Sequence, residues 1–243
     1  MKLWAHRGCS LRYPENTLTA FEAAAQLYEK GLCGIELDIQ LTRDGQIVII
    51  HDERVDRTTD GFGYVRDYTL KELKTLHIHT GKTEPEYIPT MGEVLETLGD
   101  KLKAGFKLNI ELKNSICEYE GMEEKIIDLM AKRNLEENVV YSSFSARSLS
   151  KVRALLPDAS IGILDNKASD CLYKLKGGCG ADALHPYWQG MDISAGELEG
   201  YTVRAWFSGH LYPEKPTGGR LDFKALEAKG ITDVFLNEPE VYL

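Results

Sequence analysis

Apolar residues fall in short runs along this chain, separated by stretches whose own apolar positions recur with helical spacing. Lys2–His6 reads as a first strand. Asn16 or Thr17 can cap a helix in which Leu18, Phe21, Ala25 and Tyr28 recur at helical spacing before Gly31 ends it. Cys33–Ile39 is the second strand, and Gln46–Ile50 a short third after the turn Arg43-Asp44-Gly45. From Asp52 to about Thr90 the periodicity dissolves into Thr, Gly, Asp and Tyr, with one helical phrase at Thr69–Leu76. That stretch reads as an insertion. Beyond it the spacing predicts a helix over Met91–Leu98, a strand over Phe106–Leu112 and a helix over Tyr119–Arg133. The series continues with strand Val139–Ser142, helix Ala146–Leu155, strand Ser160–Ile163 and helix Ser169–Lys176. It closes with strand Ala181–Leu184, a short helix Ser194–Leu198, strand Tyr201–Trp206, helix Asp222–Lys229 and strand Asp233–Leu236. The first two strands and the six after the insertion make eight. Eight strands alternating with helices predict an α/β protein, a closed (β/α)8 barrel of the TIM type with a small insertion after its second strand. A doubly wound open sheet is the alternative.

With 243 residues, no internal repeat and no linker, the chain has the length of one such barrel domain. Its formal charge of −9 and the lack of any Lys/Arg block disfavour a nucleic-acid surface. No apolar run approaches the roughly 18 residues of a membrane span. The start, Met1-Lys2-Leu3-Trp4-Ala5-His6, lacks the long apolar core of a signal peptide. Five scattered cysteines without CxxC spacing fit reduced thiols and not a zinc site. A soluble cytoplasmic protein is expected.

The chemistry sits at strand ends. In Gly34-Ile35-Glu36-Leu37-Asp38-Ile39-Gln40 the polar residues alternate with apolar ones, so Glu36 and Asp38 share a face. The same arithmetic groups Asn109, Glu111 and Lys113. Were these strands neighbours, three carboxylates and an ammonium would converge at the barrel mouth. The rival explanation, two solvated amphipathic strands, is disfavoured because a parallel sheet in an α/β protein is covered on both faces. An all-oxygen set suits one divalent cation, Mg²⁺ or Ca²⁺, with Mn²⁺ a further candidate. His6 and His51, each at a strand end, suit proton transfer near neutral pH. Arg7 and Lys113 suit an anion, Arg7 through paired hydrogen bonds and Lys113 as a point charge. Two cations, two histidines and a metal, with no serine or cysteine nucleophile, describe phosphoryl-transfer chemistry. His77 and His79 fall in the insertion and read as surface residues. His185, before Pro186 at a strand end, is balanced between a site wall and a structural role; His210, in a Gly/Pro-rich loop, carries little signal.

The run His6-Arg7-Gly8, Pro14-Glu15-Asn16-Thr17, Glu36-Leu37-Asp38 and His51-Asp52 through Asp56-Arg57-Thr58-Thr59-Asp60-Gly61 resembles the glycerophosphodiester phosphodiesterase family. Glu111-Leu112-Lys113, Ser143-Phe144 and His185-Pro186 extend the resemblance in order over most of the chain. It implies a (β/α)8 barrel with an insertion after the second strand and a divalent metal on Glu36, Asp38 and Glu111. It also implies His6 and His51 as acid and base, in an order left open, and Arg7 and Lys113 on the phosphate. Asn16 either supports the site or caps the first helix. Phe144, His185 and Trp206 complete the expected substrate wall. The insertion, following directly after His51, is expected to lie over the site and limit what enters. The end of the chain departs from the family pattern. Trp206 leads into Phe207-Ser208-Gly209 and a long loop through Gly219, and Asn237-Glu238-Pro239 has asparagine where aspartate is expected. The expected activity is metal-dependent hydrolysis of a small glycerophosphodiester to sn-glycerol 3-phosphate and an alcohol. A lysophospholipase D, a phosphodiester lyase acting on lipids, and a non-catalytic phospho-ligand-binding barrel are the rivals.

Overall fold

Strand β1 (Lys2–His6) pairs in parallel with β2 (Gly34–Leu41), so that Ala5 lies opposite Ile35 and His6 opposite Glu36. The computed structural model describes residues 1–80, 85–207 and 220–243. The remaining strands are β3 (Ile47–Ile49), β4 (Lys107–Leu112), β5 (Val139–Ser143), β6 (Ser160–Asp165), β7 (Ala183–Pro186), β8 (Thr202–Trp206) and β9 (Asp233–Leu236). Pairing runs β1-β2-β4-β5-β6-β7-β8-β9, and β9 returns to β1 with Trp4 opposite Phe235. The parallel barrel is therefore closed. Strand β3 stands outside the ring, an antiparallel extension of β2 with Ile39 opposite Ile49.

Helices α1 (Leu18–Ala25), α3 (Met91–Lys103), α4 (Met122–Ala131), α5 (Ala146–Leu155), α6 (Ala168–Lys176) and α7 (Phe223–Ala228) follow strands around the barrel, while α2 (Leu70–Leu73) is one turn within the insertion. Outward strand residues such as Leu37, Ile110, Ile163 and Val234 bury against Phe21, Leu95, Ile126 and Leu149 on these helices. Each fully buried side chain of this kind stabilises the fold by about 1.5–3 kcal/mol. Helix α3 illustrates the local logic. The Thr90 hydroxyl accepts from Glu93 N while the Glu93 carboxylate accepts from Thr90 N, and Met91, Val94, Leu95, Leu98 and Leu102 form one buried stripe. The helix outruns the expected end at Leu98 because Leu102 continues the stripe and Lys101 and Lys103 suit a helix C-terminus.

Between β7 and β8 the expected helix Ser194–Leu198 does not form; the segment is a series of turns. Ser194 and Glu197 do make the reciprocal cap hydrogen bonds, so the start signal is genuine. Only i→i+3 backbone bonds follow, and Gly200 turns the chain at a φ of 86°. The insertion carries a hydrophobic cluster of its own: Val55, Val65, Leu73, Ile78 and Ile88 bury together with Val48 of β3 and Ile50 just past it.

Candidate active site

The register of β2 with β4 sets Glu36 opposite Asn109 and Asp38 opposite Glu111 on the inner face of the barrel. One carboxylate oxygen from each of Glu36, Asp38 and Glu111 lies within 4.8 Å of the others, and all three residues are buried. Lys113 Nζ donates to Glu111 Oε1 at 3.0 Å and stands 3.8 Å from Asp38 Oδ1. Arg7 reaches the same place by a sharp turn after β1. Its own φ is 56°, and Gly8 follows at 83°, where an added Cβ would fall 2.7 Å from the backbone of Ala20 in α1. The Arg7 amide donates to Glu36 Oε2 at 3.0 Å, and its Nε lies 3.4 Å from Asp38 Oδ2. Asn16 donates to Asp38 Oδ2 at 2.9 Å, whereas Thr17 supplies the cap of α1. Asn16 therefore supports the carboxylates.

Burial and then the charge of Asp38 push the Glu36 carboxyl well above the usual carboxylate range. Burial pushes Asp38 upward too, but the fields of His51, Arg7 and Lys113 outweigh it and hold Asp38 low. Burial alone would lower Lys113; Glu111 and Asp38 raise it, so it remains an ammonium.

His6 Nδ1 lies 2.7 Å from Asn237 Oδ1, and its Nε2 stands 3.9 Å from Glu36 Oε2. Burial, assisted by Arg7, lowers its pKa to about 3. His51 Nδ1 pairs instead with Asp52 Oδ1 at 2.6 Å. Both rings line a cavity of about 290 Å³, together with Arg7, Glu36, Asn109, Glu111 and Ser142. Its other wall is apolar: Phe144, Leu164, Trp206, Phe207 and Phe235. Phe144 and Trp206 meet edge to face at 6.2 Å, and Trp206 Nε1 donates to the His185 carbonyl.

Two expectations change, and a third lies beyond the described residues. His185 does not reach the cavity wall. Its ring is fully buried one layer deeper, with Nε2 3.2 Å from Arg204 Nη1, and fits against Gly162, where a Cβ would stand 2.1 Å from Nε2. Among the described residues, none of 52–90 lines the cavity, so the insertion touches the site from behind, through Asp52 on His51 and Arg57 on Glu15. His210 and residues 208–219 of the long loop lie outside the described residues. Leu164, Phe207, Phe235 and Ser142 were not foreseen as wall residues. The inward alternation of β5, β6 and β9 is the signal for Ser142, Leu164 and Phe235; Phe207 follows the end of β8, where no alternation marks it. Glu15, Asp52 and Arg57 stood in the motif without an assigned place, and they prove to tie the site together. Arg57 joins Glu15 to Asp52, and Glu15 accepts from Arg7 Nη1 at 2.8 Å.

The donor set fits a hard divalent cation. It is all oxygen, and Asp38 Oδ1 is buried with no hydrogen-bond partner among the described residues, an acceptor that a cation would satisfy. Clustered buried carboxylates repel one another unless a proton or a metal intervenes.

The fold and this mouth define a (β/α)8 barrel with an acidic, cation-flanked cavity at the C-terminal ends of its strands, where such barrels carry their chemistry. Residues 6–175 match the glycerophosphoryl diester phosphodiesterase family. The chain belongs to that family. Over 163 residues it is 50% identical to a glycerophosphodiester phosphodiesterase of Caldanaerobacter subterraneus subsp. tengcongensis, covering 66% of this chain and 65% of that protein, just under two thirds of its length. A glycerophosphodiester phosphodiesterase of Bacillus subtilis is 32% identical over 98% of this chain and 84% of its own. A phosphodiesterase of Oleispira antarctica, solved in complex with the product sn-glycerol-3-phosphate, superposes with a TM-score of 0.75 at 28% identity, covering 99% of this chain and 94% of that one.

Proposed function

We propose that this protein is a metal-dependent glycerophosphodiester phosphodiesterase that releases sn-glycerol 3-phosphate and an alcohol. The observation that carries the reading is one cavity with carboxylates, Arg7 and two histidines on one side and an aromatic wall on the other, with Lys113 behind Glu111. Glu36, Asp38 and Glu111 would hold one divalent cation, Mg²⁺ or Ca²⁺ with Mn²⁺ also suited. Such an ion supplies Lewis acidity to a phosphoryl oxygen and lowers the pKa of an attacking hydroxyl.

Arg7 and Lys113 bind the phosphate, Arg7 with its planar fork and Lys113 as a point charge behind Glu111. His6 and His51 move the protons, one accepting from the nucleophile and one donating to the leaving alkoxide. With Nδ1 engaged on Asn237 or Asp52, each ring leaves Nε2 for substrate. Trp206 and Phe144 offer apolar faces to the glycerol carbons. A cavity of about 290 Å³ suits a small head group and not a long acyl chain. The formal charge of −9 argues against a nucleic-acid substrate. No helix of the described residues is long and apolar enough to cross a membrane. A cytoplasmic location forms part of the reading, supported by five cysteines that are all free thiols.

The test is to incubate metal-loaded protein side by side with glycerophosphocholine, glycerophosphoethanolamine and lysophosphatidylcholine, and to measure release of glycerol 3-phosphate. Higher kcat/KM on the glycerophosphodiesters is expected. Preference for the lysolipid would overturn the substrate assignment, and no cleavage of any diester would overturn the reading.

A further inference from the structure

Arg57 lies in the insertion and does not line the cavity, yet its guanidinium makes four hydrogen bonds to two carboxylates that do reach site residues. On one side, Nη1 donates to Glu15 Oε2 at 2.6 Å and Nη2 to Glu15 Oε1 at 2.8 Å. That same Oε1 accepts from Arg7 Nη1 at 2.8 Å. On the other side, Nε donates to Asp52 Oδ2 at 2.6 Å and Nη2 to Asp52 Oδ1 at 3.0 Å. That same Oδ1 faces His51 Nδ1 at 2.6 Å. Hydrogen bonds thus run unbroken from Arg7 through Glu15, Arg57 and Asp52 to His51.

We infer that Arg57 is a positioning residue, the strut that keeps the phosphate-binding Arg7 and the proton-transferring His51 at a fixed separation; the inference rests on the phosphodiesterase reading for those two roles. The geometry demands arginine. Only a planar fork presents three nitrogens to two carboxylates at once, two to each, whereas a lysine Nζ reaches them from a single point and cannot pair with both oxygens of either at fixed angles. The ordinary alternative is a half-exposed ion pair of little consequence, since Arg57 keeps 42% of its side chain in solvent. Two observations argue against it. Glu15 is buried, and although Arg7 pairs with its Oε1, the donor to its Oε2 is Arg57, so removing Arg57 takes a charge-assisted hydrogen bond from a buried carboxylate oxygen. Arg57 is also held in place from both sides, by Val55 in the insertion core and by buried Thr59, whose hydroxyl donates to the Val55 carbonyl at 2.9 Å. The insertion then acts on the site by tensioning it from behind.

The experiment compares metal-loaded wild type, Arg57→Lys and Arg57→Ala by three readouts. These are kcat and KM on glycerophosphocholine, calorimetric affinity for inorganic phosphate, and the downfield NMR resonance of the His51 Nδ1 proton. Arg57→Ala should lower kcat about ten- to a hundredfold, the range for losing a group that orients a catalytic one. It should also raise KM, weaken phosphate and lose the His51 resonance to exchange with water. Added guanidinium ion should restore part of its turnover, and ammonium ion should not. Arg57→Lys should fall between, with charge kept and the fork lost. Wild-type turnover with the His51 resonance intact in Arg57→Ala would overturn the inference. So would a loss that merely follows thermal stability, with the resonance intact and no guanidinium rescue. Should Arg57→Ala fail to fold, Arg57→Lys decides: unchanged kcat and KM overturn the strut, and a loss in both supports it. If wild type cleaves no glycerophosphodiester, the phosphodiesterase reading fails by itself, while the resonance and the phosphate affinity still decide what Arg57 does.

Discussion

His6 and His51 face one cavity from supports of opposite kinds. His6 ends β1, a strand paired on both sides, and rests its Nδ1 on the amide oxygen of Asn237. His51 lies just past β3, outside the barrel ring, and rests its Nδ1 on the carboxylate of Asp52. The barrel itself fixes the first. A relay of side chains fixes the second: Gln40 Nε2 gathers the carbonyls of Ile50, His51 and Asp52 at 3.0, 3.2 and 2.6 Å, and Arg57 pins Asp52. A backbone ladder is broken only by unfolding, whereas a relay is cut by one substitution. The two histidines should therefore be equally necessary and unequally fragile.

The largest effect removes what both depend on. Chelation, or Glu111→Gln, should empty the carboxylate site and cut turnover by about three orders of magnitude or more. Full activity in protein whose metal content is shown to be nil would refute this. Next come the rings themselves. His6→Ala and His51→Ala should each lower kcat by about two to four orders while circular dichroism stays unchanged. Near-normal turnover in either would remove that residue from the pair. The contrast in supports is sharpened by Asp52→Asn, which gives His51 the same kind of amide partner that His6 has. A loss of about ten- to a hundredfold is expected, read from kcat with metal content constant. No change would mean that the carboxylate has no special part.

The smallest effect is on stability. The folded-state pKa of His6 lies near 3, below its unfolded value of 6.5, because burial and Arg7 keep it neutral. As pH falls through 6.5 the unfolded chain takes up a proton that the folded chain refuses, so stability declines down to about pH 3. In metal-free protein this amounts to about 1 kcal/mol over the first pH unit below 6.5. Denaturant titrations of wild type and His6→Asn should show that slope reduced in the variant.

What was legible in the sequence was whatever repeats with the period of an element. Alternation in Glu36-Leu37-Asp38 and in Asn109-Ile110-Glu111 set the carboxylates on a common inner face, and the parallel register of β2 with β4 joined them. Helix α5 was legible to its end residues because its cap and apolar stripe agree. Contacts made across the chain were not. Asn237 meets His6 from 231 positions away, and no periodicity encodes that pairing. Arg57 sits in a stretch without regular structure, so its two partners could be found only in space. His185 shows a subtler limit: its strand-end position put it on the inner face but could not say at which depth.

That depth has a consequence for how this sequence can change. The ring of His185 occupies the volume where residue 162 would carry a side chain, with 2.1 Å between Nε2 and the nearest added carbon. Positions 162 and 185 are then not independent, although 23 residues separate them along the chain. A larger residue at 162 is closed to this protein so long as histidine stands at 185, and opens only after that ring has been replaced by something smaller. The order of the two steps is fixed: a lineage that starts from this pair can leave it by way of position 185 and by no other door.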